Sequence, residues 1–314
     1  MKKLFCIAMM LVLLVSCAAA EGIHVAALKG PTAMGMVQLM EAHSNDYAFE
    51  ICASSDEITP RLTQGEIDIA ALPANLAAVL YNRTGGVLKV LGINTLGVLY
   101  IAERGDSVAS VADLKGKTIY TAGKGSTPEF VLNYILTANG LTPGKDVVLE
   151  FKSEHSECLA ALLNNGDAVA MLPQPFITTA MTKAEDMRVA LDLTREWDAL
   201  QSEGGSAMIT GVVVARSEFV EQHPEAVDAF LRDYAESVNY VLSNNSEAAQ
   251  LVGKYDIVPA AVAEAALPQC NICLITGEEM HAKLSGYLSV LFEAAPESVG
   301  GALPDDNFYY GAQA

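Results

Sequence analysis

The sequence predicts an α/β protein of two lobes joined at a hinge, with a ligand cleft between them. A unit that occurs twice carries that expectation. Residues 65–80 read GEIDIAALPANLAAVL and residues 165–176 read NGDAVAMLPQPF, so Ala70, Leu72 and Pro73 recur as Ala170, Leu172 and Pro173. In each copy a short, uncharged apolar run suits a strand buried on both faces, and the Pro that ends it suits the first turn of a helix. Such a junction offers free backbone N–H groups and the positive end of a helix dipole at the carboxyl edge of a parallel sheet, where ligands of open α/β sheets bind. Taken alone, the pair is equally compatible with two buried strands that share small residues by chance.

The amino terminus bears on location. Lys2 and Lys3 precede an apolar run over residues 4–15, which is shorter than the roughly 20 residues a membrane span needs and suits a signal-peptide core. Leu14-Val15-Ser16-Cys17 follows and resembles a bacterial lipobox, in which the cysteine thiol is acylated and becomes the new terminus. The competing readings are a cut after Ala18-Ala19-Ala20 or a plain buried cysteine. Residues 1–16 are thus expected to be a lipoprotein signal peptide, with Cys17 the lipidated residue at the extracytoplasmic face of the cell membrane. The whole chain carries a formal charge of −19; without residues 1–16 it has 17 basic against 38 acidic residues, or −21. Nucleic acid and anionic lipid are poor partners for such a surface.

In order, residues 23–28 read as a strand, followed by Lys29-Gly30-Pro31-Thr32 and a helix through Met34, Val37 and Met40 to about His43. Residues 47–53 form a second strand, and Ser54-Ser55-Asp56-Glu57 has capping-box spacing. After the first repeated unit, residues 87–93 make a strand ending in Asn94-Thr95-Leu96-Gly97, and 98–103 another. The polar Arg104-Gly105-Asp106 marks the boundary of lobe two. Residues 118–122 form its first strand, and Gly123-Lys124-Gly125-Ser126-Thr127-Pro128-Glu129 opens a helix to Asn139, with Ser126 and Glu129 at capping-box spacing. A strand at 147–151 and a helix at 153–165 lead to the second unit. Gly204-Gly205-Ser206 makes a plausible hinge, residues 207–215 a strand returning to lobe one, and the remainder is helical. Lobe one is thus expected at 22–105 and 207–314, with lobe two inserted at 106–206.

On these residues the chain resembles the type II periplasmic binding proteins of the nitrate, sulfonate and taurine group, which also includes thiamine-precursor binders. The matching features are Lys29-Gly30-Pro31-Thr32, the unit at 65–82, the Asp113-Leu114-Lys115-Gly116-Lys117 lead-in, the loop at 123–127 and the unit at 166–176. The resemblance implies a monomeric solute receptor that delivers a small molecule to an ABC permease and ATPase. It implies contacts from Lys29, Gly30, Pro31, Thr32, Pro73, Asn75, Asn94 and Thr95 in lobe one. Lobe two would contribute Lys124, Ser126, Thr127, Pro173, Gln174 and Phe176. The backbone N–H groups, Asn, Ser and Thr would bind a polar or anionic group, Lys29 and Lys124 would converge on it, and Phe176 or Leu96 would meet a non-polar part. Departures stand beside the match. The second junction reads Pro173-Gln174-Pro175 where sulfonate and taurine binders more often carry Asp-Pro, no arginine cluster is evident, and Trp197 is the only tryptophan.

Rival chemistries find less support. Cys270-Asn271-Ile272-Cys273 lacks the second pair or histidines that a zinc site needs, and reads as a local disulfide or two partly buried thiols. Cys52 and Cys158 read as small apolar residues, and His155 as part of a solvated helix start. No metal or cofactor is expected, and no Gly-x-Ser-x-Gly, His-Glu-x-x-His or Walker sequence occurs. The alternatives are an enzyme on the same fold acting on a small carboxylate, as in the menaquinone-pathway enzymes, or a ligand-sensing receptor.

Overall fold

The computed structural model describes residues 22–201 and 206–311; the expected leader 1–16, Cys17 and the Gly204-Gly205 pair lie outside them. The chain first lays down β1 (Ile23–Leu28), α1 (Pro31–Met34), α2 (Val37–Ala42), β2 (Tyr47–Cys52), α3 (Ser55–Gln64), β3 (Ile69–Pro73), α4 (Ala74–Thr84) and β4 (Leu88–Leu96). It crosses to β5 (Leu99–Arg104), β6 (Thr118–Thr121), α5 (Thr127–Ala138), β7 (Val148–Phe151), α6 (His155–Asn164), β8 (Val169–Pro173), α7 (Phe176–Lys183), β9 (Met187–Asp192) and α8 (Leu193–Leu200). It returns through β10 (Ile209–Arg216), α9 (Ser217–Gln222), α10 (Pro224–Ser243), α11 (Asn245–Lys254), α12 (Ala260–Ala266), β11 (Ile272–Ile275) and α13 (Gly277–Ala294).

These strands form two sheets, ordered β11-β4-β10-β3-β1-β2 and β7-β6-β8-β5-β9. Apart from β11 the two orders are the same, each with one strand borrowed from the far side of a crossing. The repeated units are the third strand of each, β3 and β8, parallel to β1 and β6 respectively. Each also pairs antiparallel with its borrowed strand, Pro73 opposite Gly211 on β10 and Pro173 opposite Leu99 on β5. Both runs are buried on both faces, which is why they carry no alternation: Ala70, Leu72, Ala170 and Leu172 are all fully buried.

One boundary moves. The strand at 98–103, expected in lobe one, is β5 and hydrogen-bonds within the second sheet. The first crossing therefore falls at Gly97-Val98, not at 105. The polar Arg104-Gly105-Asp106 is a surface turn, whereas the true crossing is buried: a Cβ on Gly97 would lie 2.2 Å from Thr194 Oγ1 and 2.4 Å from Met208 Cε. A buried crossing carries no polar signal. The expected first helix is also split into α1 and α2. Gly35 stands between them, where Tyr234 Oη and Ile272 approach to 3.3 and 2.9 Å of the Cβ position. Finally, β11 joins the edge of the first sheet inside the stretch expected to be helical.

The core is continuous across the crossings. Trp197 is fully buried, stacks on Tyr134 and on Tyr287 of α13, and donates its indole N–H to Ser206 O at 2.9 Å. A long C-terminal helix thus braces the second sheet from the first lobe. Helix α10 buries Val227, Phe230, Tyr234 and Val238 against α2 and β11, the face that its 3.6-residue spacing marks.

Candidate functional site

The carboxyl ends of β1, β3 and β4 in one lobe meet those of β6 and β8 in the other. Two side-chain hydrogen bonds join them: Thr127 Oγ1 donates to Asn75 Oδ1 at 3.1 Å, and Gln174 Nε2 to Gln269 Oε1 at 3.1 Å. Helices α4 and α7, which begin here, have no side-chain hydrogen bond at their N-caps and no acidic residue in their first turns, so their dipole ends can meet an anion, whereas α5 and α6 carry Glu129 and Glu157 in theirs. Helix α3 contrasts with them, for Ser54 and Glu57 close the expected capping box. The box expected of Ser126 and Glu129 does not form. Ser126 donates instead to Gly123 O at 2.8 Å, while the Glu129 carboxylate accepts from Gly125 N at 2.6 Å.

In lobe one, Gly30 takes φ 137°, a conformation that favours glycine, and its carbonyl accepts from Ala33 N and Met34 N. Pro31 follows at the first helical position, and Thr32 Oγ1 donates to Leu28 O at 2.8 Å. Pro73 is the N-cap of α4, which puts Asn75 in its first turn, fully buried, with Nδ2 donating to Ser298 O at 3.0 Å. Asn94 and Thr95 are fully buried at the end of β4, and Thr95 Oγ1 donates to Asn94 Oδ1 at 3.3 Å. Asn94 Nδ2 is shielded from solvent and makes no hydrogen bond of good geometry, the Tyr234 hydroxyl being the polar group that faces it. A buried amide donor left unpaired costs on the order of 1–3 kcal/mol, so it marks either a functional group or a site for water.

In lobe two, Pro173 is buried, and Gln174 is 1% exposed and held on three sides. Its N–H donates to Val98 O, its Oε1 accepts from Thr178 Oγ1, and its Nε2 reaches Gln269. Phe176 is half-buried with its ring 5.6 Å from that of His155. The lysines are placed differently from the rest. Lys29 is exposed with Nζ 3.7 Å from the Asp256 carboxylate, and Lys124 is exposed with Nζ 5.8 Å from the Phe151 ring centroid. The buried polar set at the meeting edges is therefore neutral. The arginines engage carboxylates elsewhere, as in Arg216 with Asp68 and Arg104 with Asp186.

Several residues of this region went unread in the sequence. Gly211 lies under Asn94: a Cβ there would sit 2.6 Å from Asn94 Oδ1 and 2.7 Å from Thr32 Cγ2. A lone glycine in an apolar strand is a signal of close approach, and it could have been read. Tyr234 lies beneath Asn94, fully buried, with its hydroxyl facing the Asn94 amide at poor hydrogen-bond geometry, and burial pushes its pKa up. Gln269 and Asn271, whose Nδ2 donates to Gly97 O, carry no local signature. His155, expected to be solvated, has a shielded, unpartnered Nδ1, and burial pulls its pKa down to about 4. Its ring is packed under Phe176, which helical spacing does not reveal. A separate cavity of about 600 Å³ runs between α5 and α13, lined by Phe130, Tyr134 and Val290 among others.

The cysteines of the CxxC are free thiols on and beside β11. Cys270 Sγ contacts Ala266 O and Met34 Sδ, Cys273 Sγ contacts Ile93 O, and burial pushes each up to about 12. Cys52 and Cys158 are buried apolar fillers, and no group of three metal-capable side chains occurs among the described residues.

Comparison with known proteins then decides the family. Residues 37–265 match the model of the phosphonate ABC-transporter periplasmic substrate-binding proteins. The chain belongs to that family. Solved structures share its fold. An ABC transporter protein from Parabacteroides distasonis has a TM-score of 0.76 at 24% identity, over 92% of this chain and 98% of its own. The periplasmic aliphatic sulphonate binding protein SsuA from Escherichia coli has a TM-score of 0.72 at 19% identity, over 90% of each chain. The periplasmic nitrate-binding protein NrtA from Synechocystis PCC 6803 has a TM-score of 0.59 at 16% identity, over 77% of this chain and 69% of its own. No curated protein matches the chain. The family and these neighbours are solute-binding proteins of ABC transporters, not enzymes, and binding proteins of this kind deliver ligand to a permease and ATPase. Family members are periplasmic, and no helix among the described residues is long and apolar enough to cross a membrane.

Proposed function

We propose that this binding protein captures a small solute, bearing an anionic or strongly accepting group and an apolar part, at the meeting edges of its two sheets. The observation that carries the reading is Asn94. Its amide donor is fully buried with only the Tyr234 hydroxyl facing it at poor hydrogen-bond geometry, beside Thr32, Thr95 and Gly211 and at the same sheet edge as the uncapped start of α4. Free N–H groups at helix starts complement an oxyanion without any fixed cation, and Phe176 offers a face to an apolar tail. The aliphatic sulphonate named for SsuA is a ligand of that chemistry, and the nitrate named for NrtA shares its anionic part. The protein acts as a monomer, tethered to the membrane through lipid on Cys17, and hands its cargo to the permease.

Mass spectrometry of small molecules released from the purified protein identifies the cargo, and thermal-shift screening of alkylsulfonates, alkylphosphonates, carboxylates and nitrate confirms it, since a ligand stabilises the fold by mass action. Asn94→Ala is expected to weaken binding at least tenfold. A cationic cargo, or unchanged affinity in Asn94→Ala, overturns the placement.

A further inference from the structure

We propose that Gln269 is a positioning residue for capture: by accepting from Gln174 across the lobes it latches the cleft shut, with Asn75 and Thr127 forming a second catch. The inference rests on reading the interlobe edges as the capture site. Three of the amide and hydroxyl side chains expected to touch ligand, Asn75, Thr127 and Gln174, are each buried, and each spends a hydrogen bond on the opposite lobe.

The first catch is built on both sides. Gln174 is held in place, because its own N–H is tied to Val98 O at 3.0 Å and its Oε1 accepts from Thr178 Oγ1 at 2.8 Å, while its amide donor faces Tyr100 on its own lobe as well as Gln269 across the cleft. On lobe one, Gln269 closes the turn Leu267–Gln269 after α12. Leu267 and Cys270 on either side of Pro268-Gln269 are buried in the lobe-one core, so the exposed Gln269 is presented from a fixed base. Two residues on, Asn271 adopts φ 45° and donates to Gly97 O at the crossing itself. The segment 267–271 is therefore a lobe-one lip that touches the crossing and the start of α7 together. The second catch lies at the first turns of α4 and α5. Asn75 is held by Ser298 O, so its Oδ1 faces Thr127. Opening the lobes breaks both cross-lobe bonds and leaves buried Gln174 and Asn75 to be rehydrated.

A neutral hydrogen bond contributes a net factor of several-fold to an equilibrium, so loss of the Gln269 catch should shift the open-to-closed ratio about five- to tenfold toward open. Nitroxide labels at Leu242→Cys on lobe one and Val148→Cys on lobe two, both exposed, report the interlobe distance in the purified protein by pulsed electron paramagnetic resonance. Gln269→Ala should move population to the longer distance while the melting temperature stays put, because the residue is exposed. Gln269→Glu, which keeps an acceptor for Gln174 Nε2, should restore the short distance. Gln269→Ala with Gln174→Ala should open no further than Gln174→Ala alone. An unchanged distribution in Gln269→Ala, failure of Gln269→Glu to restore it, or additive opening in the double variant overturns the latch. None of these readings depends on which cargo the cleft holds, so a failure here is separable from a failure of the proposed ligand class.

Discussion

Gly211→Ala tests the lobe-one half of the site with a single methyl group. Gly211 sits in β10 between Pro73 of β3 and Thr95 of β4, so its Cα cannot retreat without breaking both ladders. The added Cβ would stand 2.6 Å from Asn94 Oδ1, 2.7 Å from Thr32 Cγ2 and 3.4 Å from Thr95 Cβ. The first two lie well inside van der Waals contact, and Asn94 is fully buried with Thr95 Oγ1 already on that oxygen, so the clash is relieved only by displacing the amide. Overpacking of this kind costs about 1–3 kcal/mol. For a chain of this size that lowers the melting temperature by about 2–4 °C per kcal/mol, or some 2–12 °C in all. Scanning calorimetry reads the shift, and mass spectrometry of co-purified small molecules reads whether cargo is still retained; both should fall. Gly166→Ala is the control, because a Cβ there meets nothing within 4 Å, and the change should stay within about 0.5 kcal/mol. A Gly211→Ala protein with the parent's melting temperature and undiminished cargo would refute the argument that Asn94 and Thr32 are held rigidly over this glycine.

Three further outcomes are expected. His155 is pulled down to about 4 from 6.5 by burial, so the unfolded chain takes up the proton first; its contribution is complete above pH 6.5 and lost as pH falls toward 4. That contribution is about 1–3 kcal/mol, and denaturant melts from pH 7 to 4 should show a shallower loss in His155→Gln than in the parent, an equal loss arguing against a buried ring. Burial disfavours the Glu103 charge, but the Ser107 hydroxyl, Val108 N–H and Arg188 together hold its carboxyl below the usual range; Glu103→Ala, which leaves Arg188 only the Gly105 and Val108 carbonyls and removes the acceptor of the Val108 N–H, should cost about 2–4 kcal/mol by urea denaturation, and a loss under 1 kcal/mol would show the pair to be dispensable. A bacterium fed labelled fatty acid should incorporate label into the full-length protein and none into Cys17→Ser; label retained by the variant would remove the anchor.

Local chemistry was enough to locate much of this protein. A strand buried on both faces must be a continuous apolar run, and a helix that follows at once tolerates Pro at its start, so the repeat of Ala70, Leu72 and Pro73 at Ala170, Leu172 and Pro173 marked the third strand of each sheet. The turn chemistry of Lys29-Gly30-Pro31-Thr32 and the Ser54–Glu57 box were legible for the same reason, since each is decided within a few residues. Tertiary structure decided everything that depends on pairing across long separations. Strand β5 went to the second sheet because its ladder partners are β8 and β9, a fact that no property of residues 99–104 contains. The short β11 exists only because β4 offers it an edge. At the site, sequence marked Asn75, Thr127 and Gln174 as polar groups at strand ends, but which of them meet one another across the lobes is set by how the sheets face. It also marked Lys29 and Lys124 by position, whereas their surface partners Asp256 and Phe151 come from distant loops and strands. Burial explains the difference: a side chain's bonding needs are written in its own residue, while the water or protein group that meets them is chosen by packing.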